Sequence, residues 1–151
     1  MNLTGVIARQ KDFEGFRPVP YKCSEGYWTL GHGSRFYNGH PVTSFTPMVT
    51  KAAAEVALKA SILDSIIDCQ KLYPNFQALT DVQREVLVHM CFQLGKAGLR
   101  KFKKMNRAVA VHNPNMWADE MVDSKWYKQT PRVALRLVDA VRQGKWADKA
   151  A

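Results

Sequence analysis

No apolar run in this sequence approaches the roughly 18 residues that a membrane-spanning helix needs, which excludes a helical integral membrane protein. The N-terminal stretch MNLTGVIARQKDFEGF is interrupted by Arg9, Lys11 and Asp12. It has no long apolar segment and no small-residue cleavage site, so no signal peptide is expected. Cysteine is scarce: Cys23, Cys69 and Cys91 form an odd, widely spaced set. That set excludes a disulfide framework and suits a reducing compartment. No CxxC or HExxH pattern occurs. The histidines His32, His40, His89 and His112 form no pair with ligand spacing, so no metal and no cofactor is expected. Internal repeats, low-complexity blocks and long linkers are also missing.

Acidic residues are few against basic ones, 13 to 22, and the net charge is +9. Such a charge attracts polyanions: nucleic acid, anionic lipid or bacterial cell wall. The apolar share of 46% and charged share of 23% are those of a globular chain. A chain of this size buries about 70% of its unfolded surface, enough for one domain or one domain with two small lobes.

Residues 2–14 predict a helix, with Leu3, Val6, Ile7, Gln10 and Phe13 on one face. Gly15 ends it, and Pro18 and Pro20 prevent its continuation. Residues 20–43 are rich in Tyr, Trp, Thr and Gly, with turn signals at Ser24-Glu25-Gly26 and Asn38-Gly39, and predict short antiparallel strands. A helix starting near Thr46 or Thr50 runs to Leu72, with Val56, Leu63, Ile66 and Ile67 as its apolar side. Thr80 and Gln83 form a capping box opening another helix, whose core stripe is Val82, Val86, Met90 and Leu94. Three further helices follow at about 100–111, 114–124 and 131–142, and Gly144 ends the last.

The stretch from Phe13 to Gly33 carries the chemistry. Glu14 falls in the last turn of the first helix, where the helix dipole disfavours its charge. Phe13 and Phe16 can dry its surroundings. Both effects raise a carboxyl pKa, as a general acid near neutral pH requires, while cations such as Arg17 oppose them. With Ser24-Glu25-Gly26 as a three-residue loop, Cys23 pairs with Tyr27 and Tyr21 with Thr29. Alternation then puts Tyr21, Cys23, Tyr27 and Thr29 on one face. Cys23 and Thr29 become diagonal neighbours, able to hold one water between them. By local features alone, Glu14 also reads as an ordinary surface residue and Cys23 as a small, inert one.

The run Glu14, eight residues, Cys23, five residues, Thr29 resembles the catalytic signature of the phage-type lysozymes, glycoside hydrolase family 24: Glu, then Asp or Cys, then Thr. Glu25-Gly26-Tyr27, Gly31 and Gly33 match as well. Downstream, Met90-Cys91-Phe92-Gln93-Leu94-Gly95 resembles the family's cleft-facing helix segment, and Ser124 to Pro131 its SxWYxQTP motif. The likeness spans most of the chain and is weakest through 34–79.

The resemblance implies an α+β fold of two lobes in a single catalytic domain, 1–151. A small sheet lobe covers about 15–45, a long helix links it, and a helical lobe covers about 75–151 plus the N-terminal helix. It implies hydrolysis of the β-1,4 bond between N-acetylmuramic acid and N-acetylglucosamine in peptidoglycan, for host cell lysis. Glu14 would protonate the leaving oxygen, and Thr29 would place the attacking water. Gly33, Phe92 and Gln93 would contact substrate. The alternative is a catalytically weak glycan-binding or structural module. The expected partners are peptidoglycan and the anionic envelope surface, with no dedicated nucleic acid. The expected life cycle is a monomer held in the host cytoplasm and released by a holin.

Cys23 stands where the family usually has a carboxylate. A free thiol has a pKa of about 8.5 and is mostly neutral at pH 7. A thiolate could act as base or nucleophile, and nearby cations would favour it. Arg132 directly follows Thr130-Pro131, one position from the family's usual Arg, so no role is assigned to it. Trp28, Trp126, Tyr27 and Tyr127 are candidates for stacking on sugars or for core positions. The Gly31-His32-Gly33 stretch would let a glycan approach the backbone, or simply form a bend. The cluster Arg100, Lys101, Lys103, Lys104 and Arg107 would attract the anionic wall, or form a solvated helix face.

Overall fold

A computed structural model of the chain describes residues 1–147; the last four residues of the expected 1–151 domain lie outside the described residues. Seven α-helices and four short strands are arranged as two lobes of an α+β fold. Helix α1, Leu3–Glu14, is capped by the Asn2 side chain, which accepts from the Gly5 N–H, and buries Val6, Gln10 and Phe13. Strands β1, Arg17–Lys22, and β2, Trp28–Gly31, form an antiparallel hairpin. Tyr21 pairs with Thr29, Lys22 with Trp28, and the Cys23 N–H donates to the Tyr27 carbonyl at 2.9 Å, the register expected from the three-residue loop. The pairing starts earlier than expected, at Arg17–Gly31. An irregularity before Tyr21 accommodates Pro18 and Pro20, which cannot donate to a ladder. Strands β3, Phe36–Tyr37, and β4, His40–Pro41, make a second, minimal hairpin.

Helix α2, Lys51–Leu72, is 22 residues long, or about 33 Å. Its buried side is Ala54, Leu58, Ile62, Ser65 and Cys69. This corrects the sequence reading: Val56, Leu63 and Ile67 are exposed, and only Ile66 of the expected set packs against the core. The helix carries two apolar stripes. The one containing small residues faces inward, where they permit close approach to its neighbours.

Two separate hydrophobic clusters define the lobes. Leu30, Val42, Val49 and Ala54, with Phe16 and Trp28 against them, form the small one. The large one takes α1, the rest of α2 and the later helices. Thus α2 gives Ala54 to the small core and Leu58, Ile62 and Cys69 to the large core.

Helix α3, Asp81–Arg100, opens on the expected Thr80–Gln83 capping box. It is buried nearly all round from Glu85 to Phe92, broader than the four-residue stripe expected, because other helices surround it. It bends at Gly95, whose φ is 73°. That positive φ favours glycine, and a Cβ there would lie 2.9 Å from the Arg35 Nη1, which would have to shift. Helices α4, Lys103–Ala110, α5, Pro114–Val122, and α7, Pro131–Gln143, follow the expected pattern, with Gly144 left-handed at the end of α7. Between them the sequence reading left a loop. The structure has α6, Lys125–Gln129, capped by Ser124, whose hydroxyl accepts from the Tyr127 N–H at 3.1 Å. No helix among the described residues is long and apolar enough to cross a membrane.

Candidate active site

The last residue of α1, the β1–β2 hairpin and the middle of α3 converge on one cavity. Glu14, Cys23, Thr29, Gly33, Phe92 and Gln93 all line it, together with Arg17, Tyr21, Glu25, Arg35 and Thr130.

Glu14 is half-buried at the C-terminus of α1. Its pKa is raised above the ordinary carboxyl value, first by burial and then by the charge of Glu25. The Tyr21 hydroxyl, the Arg132 guanidinium and the Gln93 side chain oppose the shift without cancelling it. The Tyr21 O–H lies 3.5 Å from Glu14 Oε2, a weak bond. Gln93 is oriented from behind: the Trp126 Nε1–H donates to Gln93 Oε1 at 2.9 Å, which leaves the amide NH₂ for Glu14. Trp126 is 3% exposed, so of its two candidate roles it takes the core one.

Gly33 lies directly against Glu14. With φ at 89°, a Cβ at Gly33 would lie 2.7 Å from Glu14 Cγ and 3.0 Å from Cδ. The acid's side chain lies over the bare backbone of this residue. The turn around it is closed by reciprocal bonds between Leu30 and Ser34, each 2.9 Å. His32 Nδ1 lies 2.6 Å from the Gly15 carbonyl and ties the turn to the end of α1.

Arg132, in the first turn of α7, donates to the Phe13 carbonyl at 2.5 Å and the Asp12 carbonyl at 3.1 Å. It satisfies carbonyls left open at the end of α1 and places a cation there. Arg136 follows it with an ion pair to Asp12 at 2.6 Å. The shifted position of Arg132 therefore still brings it to the acid's helix.

Thr29 is 3% exposed, and its hydroxyl donates to the Tyr21 carbonyl at 3.0 Å. Its proton is thereby committed, and its oxygen is available to accept from a water. Cys23 corrects an expectation. Nearby cations do not favour a thiolate. Burial dominates and pushes the thiol pKa up; backbone N–H groups oppose this, and the Glu25 charge adds to it. The thiol donates to Glu25 Oε2 at 3.6 Å. Burial thus disfavours the thiolate form of Cys23.

Trp28 packs on the small core with Lys22 near its ring, and Tyr27 is 42% exposed beneath the Arg35 guanidinium at 3.7 Å. Lys101, Lys103 and Lys104 from the basic cluster line an adjoining hollow with Glu25 and Tyr27, so part of the cluster opens beside the site. Glu25, Arg35 and the Trp126–Gln93 link are site features that sequence reasoning missed. Glu25 carried a usable signal, since it lies in the hairpin loop two positions from Cys23. The others depend on segments far apart in the chain. Among the described residues no group of three or more His, Cys, Asp or Glu is placed to hold a metal ion.

A sequence profile of the phage lysozymes matches residues 11–143, which include every residue named in this cavity. The chain belongs to the phage lysozyme family. Its relatives include probable T4-type lysozyme 1 of Dictyostelium discoideum, 24% identical over 87% of this chain and 89% of that protein. The pre-baseplate central spike protein Gp5 of Enterobacteria phage T4 is 26% identical over 95% of this chain but only 28% of its own length. The peptidoglycan hydrolase gp36 of Pseudomonas phage phiKMV is 30% identical over 79% of this chain and 13% of its own. The chain thus matches one relative over most of that protein's length and two phage proteins over a part of theirs.

Proposed function

We propose that this phage lysozyme is a peptidoglycan hydrolase, a muramidase that cleaves the β-1,4 bond between N-acetylmuramic acid and N-acetylglucosamine during host lysis. The single observation that carries the reading is the raised pKa of Glu14 in a cavity it shares with Thr29 and Gln93. A carboxyl whose pKa is raised by burial is suited to hand its proton to the leaving glycosidic oxygen. Thr29 holds the attacking water through its free lone pairs, and Phe92 and Gln93 stand at the cleft wall. Lys101, Lys103 and Lys104 attract the anionic envelope. The protein acts as a monomer and, accumulating in the host cytoplasm, needs a holin to reach its substrate.

The test is release of reducing ends from purified peptidoglycan, with clearing of permeabilised Gram-negative cells, by the wild type beside Glu14→Gln. Activity in the first and none in the second supports the proposal. Wall binding without reducing ends from the wild type would establish the second reading, a glycan-binding module. That reading is favoured by one observation, a thiol whose ionisation burial disfavours where the family usually has a carboxylate.

A further inference from the structure

Arg9, His89 and Gln10 form a hydrogen-bonded row between α1 and α3, anchored at one end by Glu85, that the chemistry above does not use. An arginine side chain can only donate, so the Arg9 Nε–H at 3.3 Å makes His89 Nε2 an acceptor. His89 is 1% exposed, and burial favours its neutral form. Its one ring proton therefore sits on Nδ1 and is donated to Gln10 Oε1 at 3.3 Å. With its oxygen taken, the Gln10 amide turns its NH₂ the other way.

That direction leads to the acid. Gln10 stands four residues before Glu14, on the same face of α1. Its Nε2 lies 3.4 Å from the point a Cβ of Gly33 would occupy. The Glu14 Cγ and Cδ lie 2.7 and 3.0 Å from the same point. The amide nitrogen and the carboxyl thus border one patch of bare backbone. Gln10 is fully buried, and its Nε2 has no hydrogen-bond partner among the described residues. A buried orphan donor calls for an explanation, and an ionised carboxylate is about twice as strong a partner as a neutral one.

We propose that Gln10 is a positioning residue for the reaction: its amide receives the Glu14 carboxylate once the proton has passed to the leaving oxygen. This rests on the muramidase reading above and adds to it the group that meets the spent acid. His89, held by Arg9, acts through Gln10 by fixing which end of the amide faces Glu14. The cavity brings Arg17, Tyr21 and Lys22 of β1 to Glu14, with Cys23, Glu25 and Arg35. Arg132 of α7 acts on the acid from the large lobe, and Arg136 of α7 acts on His89.

Turnover on purified peptidoglycan across pH tests this. Gln10→Met nearly keeps the volume, removes the donor and leaves all those charges in place. Its kcat should fall about 10- to 10²-fold with KM unchanged. The alkaline limb of the profile, which reports the acid, should move to higher pH, because the carboxylate has lost a partner. His89→Leu frees the amide to turn over and should move the limb the same way, by less. His89→Asn, whose Nδ2–H can stand where Nδ1–H does, should return it. A purely structural row would lower the melting temperature in these variants and leave the limb where it is.

An unmoved alkaline limb in folded Gln10→Met overturns the inference, whatever its kcat. If circular dichroism shows Gln10→Met to be misfolded, the His89 pair decides, and identical limbs in the Leu and Asn variants overturn it. Failure of the wild type to release reducing ends, or full activity of Glu14→Gln, overturns the muramidase reading itself and this assignment with it.

Discussion

Glu14 and Glu85, one half-buried and one buried, lie near opposite ends of α1 and are supplied very differently. Glu85, 3% exposed, receives the Asn2 N–H at 3.0 Å, the Arg9 guanidinium at 2.5 Å and the Trp146 indole N–H at 3.0 Å. Glu14 has a Tyr21 hydroxyl at 3.5 Å and the Gln93 amide, and its pKa is raised by burial. A carboxylate saturated with donors and paired with a buried cation locks α1 onto α3. The less well supplied Glu14 has its pKa raised by burial, which suits it to give a proton away. The two sites differ in hydrogen-bond supply, while burial is the main cause of the raised Glu14 pKa.

The largest effect should come from making both glutamates neutral amides. Glu14→Gln should lower turnover by about 10³-fold, read as reducing-end release, while its melting temperature holds or rises. Glu85→Gln should do the reverse. Breaking a buried pair costs about 3–5 kcal/mol, seen in urea unfolding, with turnover of the folded protein within about twofold. If Glu85→Gln loses activity before stability, the division between the two residues is wrong.

A third expectation sharpens the structural side. His89 is buried between Arg9 and Gln10, accepting from Arg9 at 3.3 Å, with Nδ1 3.3 Å from Gln10 Oε1. Burial, reinforced by the Arg9 and Arg136 charges, pushes its pKa down to about 3. Below about pH 6.5 the unfolded chain binds a proton there that the folded chain refuses. Stability from this group is complete above that pH. It falls as pH drops towards 3, by up to about 1.4 kcal/mol per unit. Urea midpoints across this range should show the slope, and His89→Gln should flatten it.

The smallest effect concerns the reactive side. Arg132 lowers the Glu14 pKa, so Arg132→Gln should move the alkaline limb of the pH–rate profile to higher pH. A limb that stays in place would show that solvent screens this charge from the acid.

Local rules made much of this legible in the sequence. The hairpin register followed from a three-residue turn and side-chain alternation, and Thr80 and Gln83 marked the start of α3 by themselves. Glu14, Cys23, Thr29, Gly33, Phe92 and Gln93 could be named from motif resemblance, and the fold brings them to one cavity. What stayed hidden was decided by tertiary packing. Val56 and Leu63 looked like core because α2 has two apolar stripes, and the choice between them depends on what packs there. The five residues of α6 are too few to show a period. The close approach of the Glu14 side chain to Gly33 was also hidden, because nothing local shows it. The direction of the Cys23 pKa was open in the sequence, because burial, its largest cause, is set by tertiary packing.

The sharing of α2 between both cores has a kinematic consequence. The chain passes between the lobes at Gly15, whose φ is 64° and ψ −153°, and along α2 between Ala54 and Leu58. Two crossings define a line, and a body tethered along a line has one easy rotation. Glu14 lies beside the first crossing and so close to the axis, while Ser24-Glu25-Gly26 lies at the tip of the hairpin, at the end of the lever. A rotation about that line would move Glu14, next to Gly15, less than the Ser24-Glu25-Gly26 loop at the far end of β1.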